Sequence, residues 1–125
     1  MKYELFSRLY RDCKLYSKPT GKNKELYIHE RGYQDWMDGY SPESIINTLE
    51  SIWSLYWIDM SDIRKGLGLT QYEMSQRYYT SKRTVESWEA SGKGKRNITD
   101  SQKMLIAYSI FESERDGKNG KTENT

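Results

Sequence analysis

A run of charged and hydroxyl side chains between residues 81 and 90 has the types and the spacing to contact nucleic acid. On a helix that begins after Ser81, the side opposite Val85 and Trp88 carries Lys82, Arg83, Glu86, Ser87 and Ala90. Lysine and arginine donate to guanine, where a bidentate arginine contact contributes about 1 to 3 kcal/mol of base discrimination, and glutamate can accept from the cytosine amino group. The pattern predicts a base-reading side; the alternative is a merely solvated helix face.

The loop that follows this helix is basic. It contains Lys93, Lys95 and Arg96, which we expect to anchor phosphates without reading sequence. The whole chain carries 20 Lys and Arg against 18 Asp and Glu, a net charge of only +2. Because charges act over about 10 Å at ordinary salt, the local potential decides which partner binds, and the average excludes nothing.

Other chemistry has little support in the sequence. Cys13 is the only cysteine and His29 the only histidine, too few ligands for a zinc site. Cys13 lies on an apolar stripe, which favours a buried thiol over a nucleophile. The glycines Gly92 and Gly94 lack the spacing of a phosphate-binding loop. We therefore expect no metal, no cofactor and no enzymatic activity.

Polar composition predicts a cytoplasmic protein. Mean hydropathy is −0.98, and no apolar run is long enough to span a bilayer. The first residues lack the apolar stretch of a secretory signal. We expect no association with membranes.

The first half of the chain predicts two main helices. Apolar residues at helical spacing indicate an amphipathic helix over about 2–16, followed by an exposed loop over 17–24. Residues 34–38 form at best a short helical piece closed by Gly39. Ser41-Pro42-Glu43 marks a clear helix start, and residues 45–56 continue it with one apolar stripe.

The second half predicts four helices joined by short loops. Their N-terminal signals are Ser61, the Thr70 to Glu73 capping box, Ser81 and the Thr99 to Gln102 capping box. The side chains expected to face inward are Ile63, Leu67, Met74, Tyr78, Val85, Trp88, Met104, Leu105, Tyr108 and Phe111. No stretch alternates with the period of a strand, so the predicted fold is all-α. From Ser113 onward the chain lacks aliphatic and aromatic residues, which predicts a disordered tail.

Two short helices joined by a short turn, the second with polar residues outside, form a helix-turn-helix. The matching residues are Gly68-Leu69-Thr70-Gln71, Glu73-Met74-Ser75, Ser81-Lys82-Arg83-Thr84-Val85 and Trp88-Glu89. In these residues the chain resembles the Xre/Cro family of phage repressors and bacterial regulators, and the likeness extends loosely over 60–111. Residues 1–59 resemble no family that we can name.

The resemblance implies roles for individual residues. Gln71 matches a glutamine that lies against the DNA backbone, and Ser81 joins the side chains that face bases or flanking phosphates. Arg64 and Glu89 occupy the places of a buried ion pair joining two helices. Family members usually have glycine where this chain has Tyr79, so the turn is either strained or built differently.

The predicted organisation is a helical extension over 1–59, packed on a four- to five-helix Cro/repressor-like domain over 60–112, with the tail over 113–125. The resemblance predicts a sequence-specific DNA-binding regulator, a repressor of phage or mobile-element type. Since one recognition helix reads few base pairs, we expect a homodimer on a palindromic operator in double-stranded DNA.

The alternative function is a protein-binding inhibitor of a bacterial defence nuclease (anti-CRISPR-like) or an antitoxin. Residues 30–62 contain seven acidic side chains and only one basic side chain, Arg31. The same region is aromatic, and tryptophan and tyrosine dominate binding hot spots. Candidate residues for an interface with a host protein or a second copy are Trp36, Tyr40, Trp53 and Trp57. The simpler explanation is that these rings pack a small core.

Overall fold

The computed structural model describes the backbone of residues 1–90 and 98–123, and the side chains of residues 1–90 and 98–115. The described backbone contains no strand, so the all-α prediction is confirmed. Its seven α-helices are α1 Tyr3–Asp12, α2 Gly21–Glu30, α3 Pro42–Trp57, α4 Met60–Gly66, α5 Gln71–Arg77, α6 Lys82–Glu89 and α7 Asp100–Glu123. Two short 3₁₀ helices lie at Cys13–Leu15 and Asp35–Met37. None of these helices combines the length and apolar character needed to cross a membrane.

The contacts divide the chain into two compact units. The first contains Met1–Trp57 and the chain from Ala107 onward, and the second contains Ile58–Ile106. Helix α7 begins in the second unit and continues into the first.

The core of the first unit is rich in aromatic rings. Phe6, Tyr27 and Trp53 are each at most 4% exposed. The Tyr27 and Trp53 ring centroids lie 5.3 Å apart, and the Phe6 and Phe111 centroids 5.2 Å apart. The Tyr27 hydroxyl donates to the backbone carbonyl of Leu9 over 2.7 Å, which satisfies the polar end of the buried ring. The Tyr27 ring can therefore lie in this core because its hydroxyl has a hydrogen-bond partner.

Helix α2 corrects the predicted loop over 17–24. The helix begins at Gly21, because the Thr20 side chain caps it by accepting from the backbone N–H of Asn23 at 3.1 Å. Two other predictions for this half are confirmed: Ser41 caps α3 by accepting from the Ser44 N–H, and the short helical turn at Asp35–Met37 ends before Gly39, whose φ is +84°. The helix predicted over 2–16 is an α-helix over Tyr3–Asp12 followed by the 3₁₀ turn Cys13–Leu15.

The second unit is held by the apolar sides of its short helices. Met60 and Ile63 of α4, Met74 of α5 and Val85 and Trp88 of α6 are all at most 8% exposed. One predicted cap is wrong: Asp59, not Ser61, caps α4, and its carboxylate accepts from the Asp62 N–H over 2.9 Å. One predicted core residue is also wrong, since Leu105 of α7 is 55% exposed.

Helix α7 extends to Glu123, whereas the sequence predicts a disordered tail from Ser113. Two contacts within the first unit hold the start of this stretch. Arg115 donates to the buried hydroxyl of Thr48 over 2.8 Å, and its guanidinium lies 4.2 Å from the centre of the Phe111 ring. These contacts fix Arg115, the last residue whose side chain the structure describes.

Candidate nucleic-acid interface

Helices α5 and α6 form a helix–turn–helix pair within the second unit. Helix α5 begins at a complete capping box: Glu73 N–H donates to the Thr70 hydroxyl at 3.1 Å, and Thr70 N–H donates to the Glu73 carboxylate at 3.0 Å. Helix α6 begins after Ser81, whose hydroxyl accepts from the Thr84 N–H at 3.0 Å. The two helices pack directly on each other. Local hydrogen bonds therefore fix both ends of the turn.

The turn itself carries a non-glycine residue in the left-handed region. Tyr79 has φ +53°, and the next N–H, of Thr80, donates back to the Ser75 carbonyl over 2.9 Å. A residue with a Cβ in such a conformation costs about 1 to 3 kcal/mol. Of the two alternatives that the sequence left open, the strained turn is the one observed. The Tyr79 side chain is 97% exposed and gains no packing in return.

The outer side of α6 presents three exposed charged residues, Lys82, Arg83 and Glu86. Lys82 and Glu86 form an exposed ion pair with an N···O distance of 3.5 Å. Arg83 has no acidic partner among the residues that the structure describes. Ser87 is half-buried, and its hydroxyl donates to the Thr84 carbonyl over 2.7 Å. Arg83 is therefore the most available cation on this side.

Arg64 of α4 and Glu89 of α6 form a two-pronged ion pair. The Nε and Nη2 groups of Arg64 donate to the two carboxylate oxygens of Glu89 over 2.8 and 2.9 Å, and Nη1 donates to the Leu69 carbonyl. The hydrogen bonds from Arg64 are the main reason that the pKa of Glu89 lies below its ordinary value. The side chains are only 16% and 8% exposed, so water screens the pair weakly.

Gln71, predicted to contact phosphate, is the first residue of α5 and is half-buried. The Gln71 side chain also helps to lower the pKa of the Glu89 carboxyl, after the larger effect of Arg64. The other predicted phosphate contacts, Lys93, Lys95 and Arg96, lie outside the described residues.

The four aromatic candidates for a protein interface differ in exposure. Trp53 is only 4% exposed, so it belongs to the core of the first unit and cannot serve as a surface residue. Trp57 is half-buried against Trp53, with ring centroids 5.5 Å apart. Trp36 is half-buried and donates to the Gln34 side chain over 2.7 Å, whereas Tyr40 is 51% exposed. Trp53 and Trp57 are thus held largely by packing within the first unit.

Cys13 is fully buried, as the sequence indicated, and burial raises the pKa of its thiol to about 12. The thiol therefore stays protonated at neutral pH. Within the described part of the chain, no three His, Cys, Asp or Glu side chains lie close enough to hold a metal ion.

The exposed aromatic ring at the turn is a feature that sequence reasoning did not assign to any site. The available signal was the departure from glycine at Tyr79, which indicated an unusual turn and not an exposed side chain.

Comparisons of this chain with protein-family models, with curated proteins and with solved structures find no match.

Proposed function

We propose that the protein is a sequence-specific DNA-binding regulator that inserts α6 into the major groove. The proposal is carried by one observation: Arg83 projects from the first turn of α6, exposed and without an acidic partner among the described residues, while Val85 and Trp88 bury the opposite side. In the helix-turn-helix mode of binding, the N-terminal residues of the second helix contact base edges.

The charges around Arg83 support contact with a polyanion. The positive end of the α6 dipole lies at Lys82 and Arg83. The Lys82 ion pair neutralises Glu86, which lowers the repulsion that a free carboxylate would exert on phosphate. Arg83 therefore acts as the base-reading residue, with guanine as its preferred target.

Selection of bound duplexes from random DNA tests the proposal. We expect the chain to enrich one short motif, and we expect Arg83→Ala to relax the preference at one position of that motif by about 1 to 3 kcal/mol. Lys65→Ala is the matched control, because it removes an exposed cation from α4 and leaves α6 intact. An Arg83→Ala variant with unchanged base preference would contradict the assigned role.

A second candidate function is that of a protein-binding inhibitor or antitoxin. It is favoured by the exposed acidic and aromatic side chains of the first unit, where Tyr33 is 71% and Tyr40 51% exposed beside the exposed Asp35 and Asp38. Such a surface complements a basic protein groove. Capture of a host protein that Asp35→Lys abolishes and Arg83→Ala leaves intact would favour this second function over the first.

A further inference from the structure

We propose that two copies of this chain associate through their second units, and that the Tyr79 ring of each copy inserts into a cavity beside Tyr79 in the other. The proposal goes beyond the DNA-binding function and does not depend on it. It is carried by the cavity and by two exposed apolar side chains that border it.

The cavity lies within the second unit and has a volume of about 200 Å³. Two of its lining side chains, Trp88 and Ile106, are buried, whereas Tyr79 is 97% and Leu105 55% exposed. Exposed apolar side chains around a cavity mark a surface for a partner. The described residues that line it come from the α5–α6 turn, α6 and α7: Tyr78, Tyr79, Thr80, Trp88, Gln102, Leu105 and Ile106.

The described lining carries no charge. None of these seven side chains is ionised, although 30% of the residues in the chain are charged. A polyanion gains no electrostatic attraction from such a surface, and two copies of it approach without like-charge repulsion. The centres of protein interfaces are also depleted in charge and enriched in aromatic rings. The lack of charge therefore favours an apolar protein surface as the occupant.

Size and symmetry identify that surface as a second copy. A cavity of about 150 Å³ between apolar side chains accommodates a benzene ring. The cavity of about 200 Å³ can therefore accept one tyrosine ring, and the same surface presents such a ring at Tyr79. In a two-fold symmetric interface each copy contributes the same surface. Both rings and both cavities are then used.

The buried area is consistent with a dimer. A tyrosine side chain buries about 150 to 250 Å², so two Tyr79 rings bury about 300 to 500 Å². That is about a quarter of the 1,200 to 2,000 Å² in a stable interface, and the cavity walls that the rings cover add a comparable area. The two insertions thus form the centre of the interface, and the surrounding side chains complete it.

The same arrangement explains Leu105 and leaves Arg83 exposed. The spacing of α7 predicts Leu105 as an inward-facing residue, and a second copy would cover it. The cavity borders Trp88, which lies on the side of α6 away from Arg83. A dimer formed here keeps the charged side of α6 open to solvent.

Substitutions in the full chain test the surface, with the mass measured by light scattering and sedimentation over a micromolar concentration range. We expect the unmodified chain to form a dimer, and Tyr79→Ala and Leu105→Lys each to raise its dissociation constant at least about thirtyfold. Tyr72→Ala is the control, because Tyr72 is an exposed tyrosine of the same unit outside the cavity. Circular dichroism checks that each variant keeps its helices.

A pair of complementary variants tests the insertion itself. We expect Tyr79→Lys and Leu105→Asp each to be monomeric alone, since each places an unpaired charge in the interface. An equimolar mixture should restore a dimer. The introduced lysine of one chain then faces the introduced aspartate of the other, and the remaining Tyr79 lies against the remaining Leu105.

Three results would overturn the proposal. One is the mass of a single chain at every concentration; if such a monomer bound another protein through Tyr79, the cavity would belong to that partner. The second is a dimer that Tyr79→Ala and Leu105→Lys leave intact. The third is failure of the mixed variants to associate. The proposed function is tested separately, because no DNA is present and Arg83 is unchanged.

Discussion

At the scale of single residues, the Arg64–Glu89 pair joins α4 to α6 through two charge-assisted hydrogen bonds. Glu89→Ala leaves a largely buried guanidinium without its counter-charge, so we expect it to lower the free energy of unfolding by about 3 to 5 kcal/mol. Glu86→Ala is the control, because its ion pair with Lys82 is exposed and contributes less than about 0.5 kcal/mol. Urea denaturation measures the change in unfolding free energy for both variants. Equal effects for the two variants would contradict a structural role for the buried pair.

The same pair predicts how stability depends on pH. The pKa of Glu89 is depressed in the folded protein, chiefly by the hydrogen bonds from Arg64. Its contribution is therefore complete above the unfolded pKa of about 4.3, and it is lost as pH falls through the lower folded pKa. We expect Glu89→Gln to show a smaller fall in unfolding free energy than the unmodified chain between about pH 5 and pH 3. If the unfolding free energies of the two proteins fell equally with pH, Glu89 would not be the group responsible.

At the scale of elements, the caps decide where the short helices begin. Asp59 caps α4 through a 2.9 Å bond from the Asp62 N–H, and Ser61 lies one residue inside the helix. We expect Asp59→Ala to lower the free energy of unfolding by about 0.5 to 2 kcal/mol, and Ser61→Ala to change it little. Thermal unfolding of the two variants separates these roles. A larger loss of unfolding free energy for Ser61→Ala than for Asp59→Ala would indicate that Ser61 caps α4, as the sequence predicts.

Most helix starts with a local cap were predictable, but the Thr20 cap of α2 and the Asp59 cap of α4 were missed although they are local too. The Thr70 capping box, the Ser81 cap and the Ser41 helix start depend on hydrogen bonds within four residues, so the sequence contains the whole interaction. Helix α2 has no strong apolar stripe. It is held by distant contacts, such as the Tyr27 hydroxyl on the Leu9 carbonyl and the Tyr27 ring against Trp53, and spacing along the chain cannot reveal such contacts.

At the scale of the whole molecule, the expected assembly is a homodimer. Under the proposed function, a single α6 presents only three exposed charged side chains, Lys82, Arg83 and Glu86, which limits the sequence that one copy would specify. We expect light scattering at micromolar concentration to give the mass of two chains, and the selected DNA motif to be a palindrome with half-sites about 34 Å apart. A monomer that binds a single asymmetric half-site would contradict the dimer.

The candidate site was predictable only in part, for a physical reason. Periodicity places Lys82, Arg83 and Glu86 on one side of a helix, because the spacing of side chains around α6 is fixed by its geometry. Which of these cations is free depends on the rotamers of their neighbours. The structure pairs Lys82 with Glu86 and leaves Arg83 without an acidic partner among the described residues, a difference that the sequence pattern does not contain.

The sequence by itself determined the helical class, most helix starts and the side of α6 that carries charge, because these follow from hydrogen bonds and spacing within a few residues. The tertiary structure alone decided that Trp53 is core and that Leu105 is exposed. It also decided that the turn keeps its left-handed conformation at Tyr79. Burial and backbone strain depend on which distant segments meet, and that meeting is a property of the folded chain.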